Sequence, residues 1–254
     1  MKLTFLGSGS AFTTDGNWHS NILVEHDGKR LLIDCGSDAR HSAKELGLTA
    51  LDIDAVFVSH LHADHVGGLE WLGFSTYFAP DAPAPDLFVS TELADPLWDN
   101  CLRGGMSSLQ GQIADMGSFF RLHRVPRGGN FLWQGVRFQL VQAIHVFNGH
   151  EIAHAYGLLF PAGSKTVYFS GDQQFSPGQN MSFYRKADVI FHDTEITPFP
   201  SGVHPHYEQL RTLPDDVRSK MWLYHVNPGP RPDARADGFA GIVGKGQVFD
   251  FSAE

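Results

Sequence analysis

The stretch Val56-Phe57-Val58-Ser59-His60-Leu61-His62-Ala63-Asp64-His65-Val66-Gly67-Gly68 constrains this chain most. A β-branched and aromatic run ends at Ser59, and three histidines and an aspartate follow before the paired glycines. The run predicts a buried strand, and Leu69–Phe78 beyond the glycines predicts an amphipathic helix. The polar residues then occupy the loop at a strand's carboxyl end, where open α/β sheets carry their chemistry. His60 and His62, two apart, can aim at one ion, and Asp64 and His65 can turn toward a second. Imidazole with carboxylate suits zinc or manganese rather than a thiolate-bound metal. A solvated loop with accidental histidines is the plainer alternative, and only partners elsewhere in the chain decide between them.

Three later strand ends offer such partners. Leu140-Val141-Gln142-Ala143-Ile144-His145, Thr166-Val167-Tyr168-Phe169-Ser170-Gly171-Asp172 and Met221-Trp222-Leu223-Tyr224-His225 are each apolar runs that deliver one metal-competent side chain. His150 and His154 are rivals to His145, but they fall in an expected loop. The remaining pattern is that of alternating strands and helices. Strands are expected at Leu3–Leu6, Asn21–His26 and Arg30–Asp34, the last two joined at Asp27-Gly28, a strong hairpin signal. Further strands are expected at Leu87–Ser90, Phe119–Val125, Val136–Ile144, Ala155–Phe160, Thr166–Ser170, Val189–Phe191, Met221–His225 and Gln247–Phe251. Helices are expected at Ser37–Leu46, Glu92–Leu102 and Ser182–Lys186. The segment from Gly104 to Gly117 has little periodicity. No composition shift or solenoid repeat divides the chain, so one α/β domain over residues 1–254 is expected.

Composition narrows the function classes. The formal charge is -9, from 28 acidic and 19 basic residues, which argues against an extended nucleic-acid surface without excluding a small basic pocket. No apolar run is long enough to span a bilayer, and the first residues lack a secretory apolar region. The two cysteines, Cys35 and Cys101, do not make a disulfide framework, so a reducing cytoplasm is the expected compartment.

His60-Leu61-His62-Ala63-Asp64-His65, followed in order by His145, Asp172 and His225, resembles the HxHxDH signature of the metallo-β-lactamase fold superfamily. The resemblance runs from the first strand to the Gln247–Phe251 end. It implies an αβ/βα sandwich, two mixed sheets face to face with helices outside. It also implies two divalent ions: one on His60, His62 and His145, the other on Asp64, His65 and His225, with Asp172 bridging. Asp34 is similar to a buried aspartate beneath the metals; its alternative is a cap for the Ser37 helix.

Phe5-Leu6-Gly7-Ser8-Gly9-Ser10-Ala11 and Asp188-Val189-Ile190-Phe191-His192-Asp193-Thr194-Glu195 resemble the ribonuclease Z-like phosphodiesterases. In that group, a His-Glu-Ala-Thr strand end is followed by a His-Ser-Thr element that lends a proton-handling histidine. Here Asp193 stands where Glu is usual, and His204-Pro205-His206 replaces His-Ser-Thr. The absence of a basic Gly/Pro-rich arm also separates the chain from tRNA processing. Ser201-Gly202-Val203-His204-Pro205-His206-Tyr207 is similar to the small cyclic-nucleotide phosphodiesterases of the anti-Pycsar kind. The candidate catalytic residues are therefore Asp64 (also a ligand), His204 as first proton donor, His206 as second, and Asp193 orienting or relaying. The implied substrate is a small phosphodiester, a 3′,5′-cyclic nucleotide foremost, handled by a homodimer. A tRNA 3′-end endonuclease, a lactone or thioester hydrolase, and a nucleotide-sequestering module stay open as alternatives. Phe147, Tyr207, Phe199 and Trp18 are candidate stacking residues for a base.

Overall fold

A computed structural model describes residues 1–14 and 16–252. Two seven-stranded mixed sheets form the frame. The first contains β1 (Lys2–Phe5), β2 (Ile22–His26), β3 (Lys29–Ile33), β4 (Ala55–Val58), β5 (Asp86–Ser90), β8 (Arg121–Val125) and β16 (Val248–Asp250), in the order β16-β1-β2-β3-β4-β5-β8. The second contains β9 (Asn130–Trp133), β10 (Val136–Phe147), β11 (Ile152–Ala162), β12 (Lys165–Phe169), β13 (Val189–Asp193), β14 (Met221–Tyr224) and β15 (Gly241–Ile242), in the order β15-β14-β13-β12-β11-β10-β9. A short hairpin, β6 (Ser108–Leu109) with β7 (Gln112–Ile113), stands apart. Each large sheet changes from antiparallel to parallel pairing along its width.

The alternation of side chains builds the layers. On β12, Val167 and Phe169 enter the core between the sheets while Tyr168 turns to the outer face. On β13 and β14, Phe191 and Tyr224 point inward, and Ile190 and Leu223 outward. Helices cover that outer face: Tyr184 of Pro177–Lys186, Leu210 of Tyr207–Leu210 and Val217 of Asp215–Arg218 share its apolar cluster. Aromatic contacts tie the sheets together, with Phe5 against Phe191 at 5.0 Å and Phe57 against Phe131 at 5.7 Å. β4 is buried along its whole length, as a parallel strand covered on both faces requires.

Several elements depart from the sequence reading. Helix Leu69–Tyr77 buries one face through Leu69, Leu72, Gly73 and Thr76, but its outer face is not wholly polar. Leu69 and Leu72 face the core, yet Tyr77 on the same helix and Phe78 just beyond it are exposed. The expected strand from Phe119 begins only at Arg121, because Asp115 accepts a hydrogen bond from Ser118 N and caps a short helix, Met116–Phe119. The expected Glu92–Leu102 helix starts at Thr91 and continues to Met106, with a wide π-helical turn over Leu97–Leu102. Pro96 sits just before that turn, where its missing N–H and ring disfavour regular α-helix. β9 was not anticipated, although its hairpin with β10 turns at Gln134-Gly135, both at positive φ.

Candidate metal centre

β10 and β12 each pair antiparallel with β11, so they run in the same direction, and β12, β13 and β14 are parallel. Their carboxyl ends therefore lie along one edge of the second sheet. The loop after β4 meets that edge from the first sheet. Ser59 O accepts a hydrogen bond from Tyr156 N of β11, which locks the two together. All seven expected ligands converge there. His60, His62 and His145 bring ligand atoms within 4.8 Å of one another, and so do Asp64, His65, Asp172 and His225.

His145 is not at a strand end as expected: β10 continues to Phe147, and the pairing with β11 shifts register between Ile144 and Phe147. Of its rivals, His150 is exposed in the turn, while His154 lies within β11 rather than in a loop.

A hydrogen-bonded layer beneath the centre fixes which ring nitrogens face it. Asp34 holds Ser59 N through Oδ1 (2.8 Å), and both Ser59 Oγ and His65 Nδ1 through Oδ2 (2.7 Å each). A carboxylate only accepts, so His65 carries its proton on Nδ1. Ser59 spends its own proton on Asp34, so its oxygen accepts from His60 Nδ1 at 3.1 Å. His145 Nδ1 donates to Val203 O at 2.9 Å. With the proton on Nδ1 in each of these rings, Nε2 is the atom left to face the cluster, and it offers a lone pair whenever the ring is neutral, the arrangement that metal-binding histidines need. Asp34 thus supports ligands and does not cap the following helix, whose start has no side-chain cap. Asp34 and His225 both adopt positive φ, at 62° and 63°, a backbone cost of the kind retained at functional sites.

The electrostatics divide the centre in two. Burial first, then neighbouring imidazoles, hold His60 well below its ordinary range, and burial likewise lowers His62 and His145. Three neutral imidazoles sit 3.0–3.2 Å apart at their nitrogens, from His60 Nε2 and His145 Nε2 to His62 Nδ1. On the other side, burial opposes a charge on His65, but Asp172, Asp64 and Asp34 raise it well above the usual range. Asp172 stays ionised despite burial because His225 and His65 surround it, and its Oδ1 is buried without a hydrogen-bond partner. Lone pairs facing one another and carboxylates facing inward fit bound cations. Imidazole with carboxylate is a donor set suited to a divalent metal.

His204 completes one wall. Its Nδ1 lies 3.0 Å from Asp193 Oδ2 and 4.0 Å from Asp172 Oδ2. Burial pulls the ring down, but the Asp193 hydrogen bond and the Asp172 charge overcome it and raise it to about 9. Asp193 is itself set by Gln173 N at 3.2 Å and by Ser170 Oγ at 3.3 Å. His206, expected as a second proton donor, is engaged elsewhere. Its Nε2 donates to Thr197 O (2.9 Å), its Nδ1 accepts from Glu208 N (3.3 Å), and it caps Tyr207–Leu210.

A cavity of about 430 Å³ opens over the centre, lined by His62, Asp64, His145, Asp172, His204 and His225. Ala11, Phe12 and His19, from the chain between β1 and β2, also line it. His19 is held by Asp38, which accepts its backbone N–H at 2.8 Å and lies 3.3 Å from its Nδ1. Phe12 and His19 escaped the sequence reading, since nothing in a Gly/Ser-rich loop marks which side chains fold back over a site. Of the expected stacking residues, Tyr207 is buried with its hydroxyl on Asp237, and Trp18 stacks on His41. Phe147 and Phe199 are exposed, and neither lines this cavity.

The family model "Anti-Pycsar protein Apyc1" matches residues 1–249. An Anti-Pycsar protein Apyc1 of Paenibacillus harenae is 35% identical over 230 residues, 89% of each chain. Among solved structures, the metallo-β-lactamase fold protein YhfI from Bacillus subtilis superposes with TM-score 0.75 at 19% identity, covering 98% of this chain and 99% of its own. A diphosphatase of the PhnP family gives TM-score 0.74 at 22% identity, covering 99% and 98%. The expected αβ sandwich and family resemblance are thus borne out: the chain has the metallo-β-lactamase fold and belongs to the Anti-Pycsar protein Apyc1 family.

Proposed function

We propose that the chain is a dinuclear phosphodiesterase that opens a 3′,5′-cyclic nucleotide to a nucleoside monophosphate. His60, His62 and His145 would hold one ion, and Asp64, His65 and His225 the other, with Asp172 reaching both. Zinc is the ion this donor set favours, with manganese second. When bound, such ions supply a water activated at neutral pH and offset the charge of the phosphate. The chain's own residues handle the rest. Asp193 accepts from His204 Nδ1–H, which keeps that ring protonated and orients its Nε2–H as the donor to the departing ester oxygen. Asp64 serves as a ligand, and no separate proton-transfer role is assigned to it.

The single observation that carries this reading is the His204–Asp193 pair beside the ligand clusters, in a chain whose family is named for opposing Pycsar. A lactone or thioester hydrolase leaves that pair without a task. The charge of -9 favours a small phosphodiester over a folded RNA.

Product analysis tests the reading. Metal-replete protein is given a panel of 3′,5′-cyclic nucleotides, a precursor tRNA and a generic aryl phosphodiester, with Asp172→Ala as blank. Conversion of cyclic nucleotides to monophosphates is expected. Cleavage of the tRNA alone makes the chain an endonuclease, and silence on all three withdraws the phosphodiester reading.

A homodimer belongs to the same proposal. Tyr77 and Phe78 are in ring contact at 5.0 Å, and Gln112 donates to Tyr77 Oη at 2.6 Å, which brings the neighbouring, exposed Ile113 to the same patch. An exposed apolar patch of this kind supports self-association. Sedimentation as a monomer at micromolar concentration would remove this part.

A further inference from the structure

The cavity over the ligand clusters has two unlike ends. Its floor is imidazole and carboxylate, fit for an anionic group held through cations. Its exposed lining is mixed, with Ala11, Phe12 and Ala63 beside Ser37 and His62. Phe12 is 77% exposed although it lines the cavity, so most of its side chain is left uncovered by the rest of the chain. A lone exposed phenylalanine needs no explanation on most surfaces. Here three further observations bear on it.

The first is that the described backbone on either side of it is tied down by hydrogen bonds. Leu6 N bonds to Asn21 O, Gly9 N to Trp18 O, Ser10 N to Val226 O, and Thr13 N to Ser10 O. Ser8 Oγ donates to Val243 O at 2.8 Å, and Ser20 Oγ donates to Gly9 O at 3.0 Å. A Cβ on Gly7 would come within 2.3 Å of Trp18 O, so the backbones at Gly7 and Trp18 approach too closely for a side chain between them. The ring is therefore presented by a fixed scaffold, which limits the entropy lost when a ligand packs on it. The second is position: Phe12 shares its cavity with Asp172, His204 and His225, so a ligand bound through an anionic group at the clusters has its other end near the ring. The third is contrast. Phe199 is 82% exposed and Phe147 is also exposed, but neither lines the cavity.

We propose that Phe12 is the stacking platform for the flat ring of the substrate, and so the residue that sets preference for base-bearing over base-free phosphate esters. This rests on the phosphodiesterase reading for the identity of the substrate, but on the cavity alone for the stacking itself. An aromatic face accepts any base, since every base has a π-face, and stacking of this kind is worth roughly a tenfold or larger change in affinity on truncation to alanine.

Binding rather than turnover tests it. Calorimetry on the metal-loaded protein compares adenosine 5′-monophosphate with ribose 5-phosphate. The native chain is expected to bind the nucleotide more tightly, and Phe12→Ala is expected to lose about tenfold of that preference while ribose 5-phosphate binds unchanged. Phe12→Trp should keep the preference, and Phe199→Ala should leave both ligands as in the native chain. The exposure of Phe12 makes unfolding of the variant an unsuitable explanation for a loss, and a melting curve checks it. Equal binding of the two ligands by the native chain, failure of the nucleotide to bind, or an unchanged preference in Phe12→Ala overturns the assignment. A preference that depends on Phe12 in a chain that cleaves no cyclic nucleotide would reject the catalytic reading and keep this one.

Discussion

At the scale of single residues, the centre depends on side chains whose protons are assigned by their neighbours. His204 is the clearest case, because its charge comes from Asp193 and Asp172 against the pull of burial. His204→Ala should leave metal content and fold intact and lower kcat by about 10²–10⁴, the range for a lost general acid. Metal analysis alongside steady-state rates checks it, and full activity in the variant would end the proton-donor role. The same pair predicts a pH dependence in the metal-free chain. A histidine held at about 9 in the fold, against its ordinary 6.5, favours folding fully below about pH 6.5. That contribution is lost as pH rises through 9. Denaturant midpoints from pH 6 to 10 should therefore converge between the native chain and His204→Ala at the alkaline end. Midpoints separated by a constant amount would contradict the linkage.

At the scale of elements, the site is a matter of how closely backbones approach. Gly36, just after β3, packs against the ligand loop: a Cβ there would lie 2.1 Å from Asp64 O and 3.1 Å from His19 Nδ1. Neither the Asp64 backbone nor the pinned His19 can yield cheaply. Gly36→Ala should cost roughly 1–3 kcal/mol in stability, as overpacking does, and should reduce metal content by displacing Asp64. Urea unfolding with metal analysis reads both, and a variant normal in each would show that the loop has slack. The elements that deliver ligands were legible in the sequence because each is a continuous apolar run ending in a polar residue. β4, β12 and β14 are such runs, and their ends carry His60, Asp172 and His225. What the sequence hid is what local pattern does not encode. β10 runs on past His145 because β11 pairs with it across a register shift. His206 resembles a proton donor in sequence, yet the turn at Thr197 claims its ring. Phe12 and His19 become part of the site only through long-range contacts of their loop with Val226, Val243 and Asp38.

For the whole molecule, the candidate ligands are divided between the two sheets. His60, His62, Asp64 and His65 follow β4 of the first sheet, while His145 lies on β10 and Asp172 and His225 follow β12 and β14 of the second. Any ion held by His60 with His145, or by Asp64 with His225, is a clasp across the sandwich, adding to the Phe5–Phe191 and Phe57–Phe131 contacts that already join it. Binding to the folded state alone stabilises by mass action, about 2.7 kcal/mol at a hundredfold excess over Kd. For a chain of this size, each kcal/mol moves Tm by about 2–4 °C. Removing metal with a chelator should therefore lower Tm by roughly 5–10 °C, and zinc in excess of the chelator should restore it. Asp172→Ala, which deletes the carboxylate between the two clusters, should respond to the chelator far less than the native chain. A native Tm indifferent to chelator would mean that the sheets hold each other unaided and that metal serves chemistry alone. A full response retained in Asp172→Ala would instead place the clasp on the three-histidine cluster.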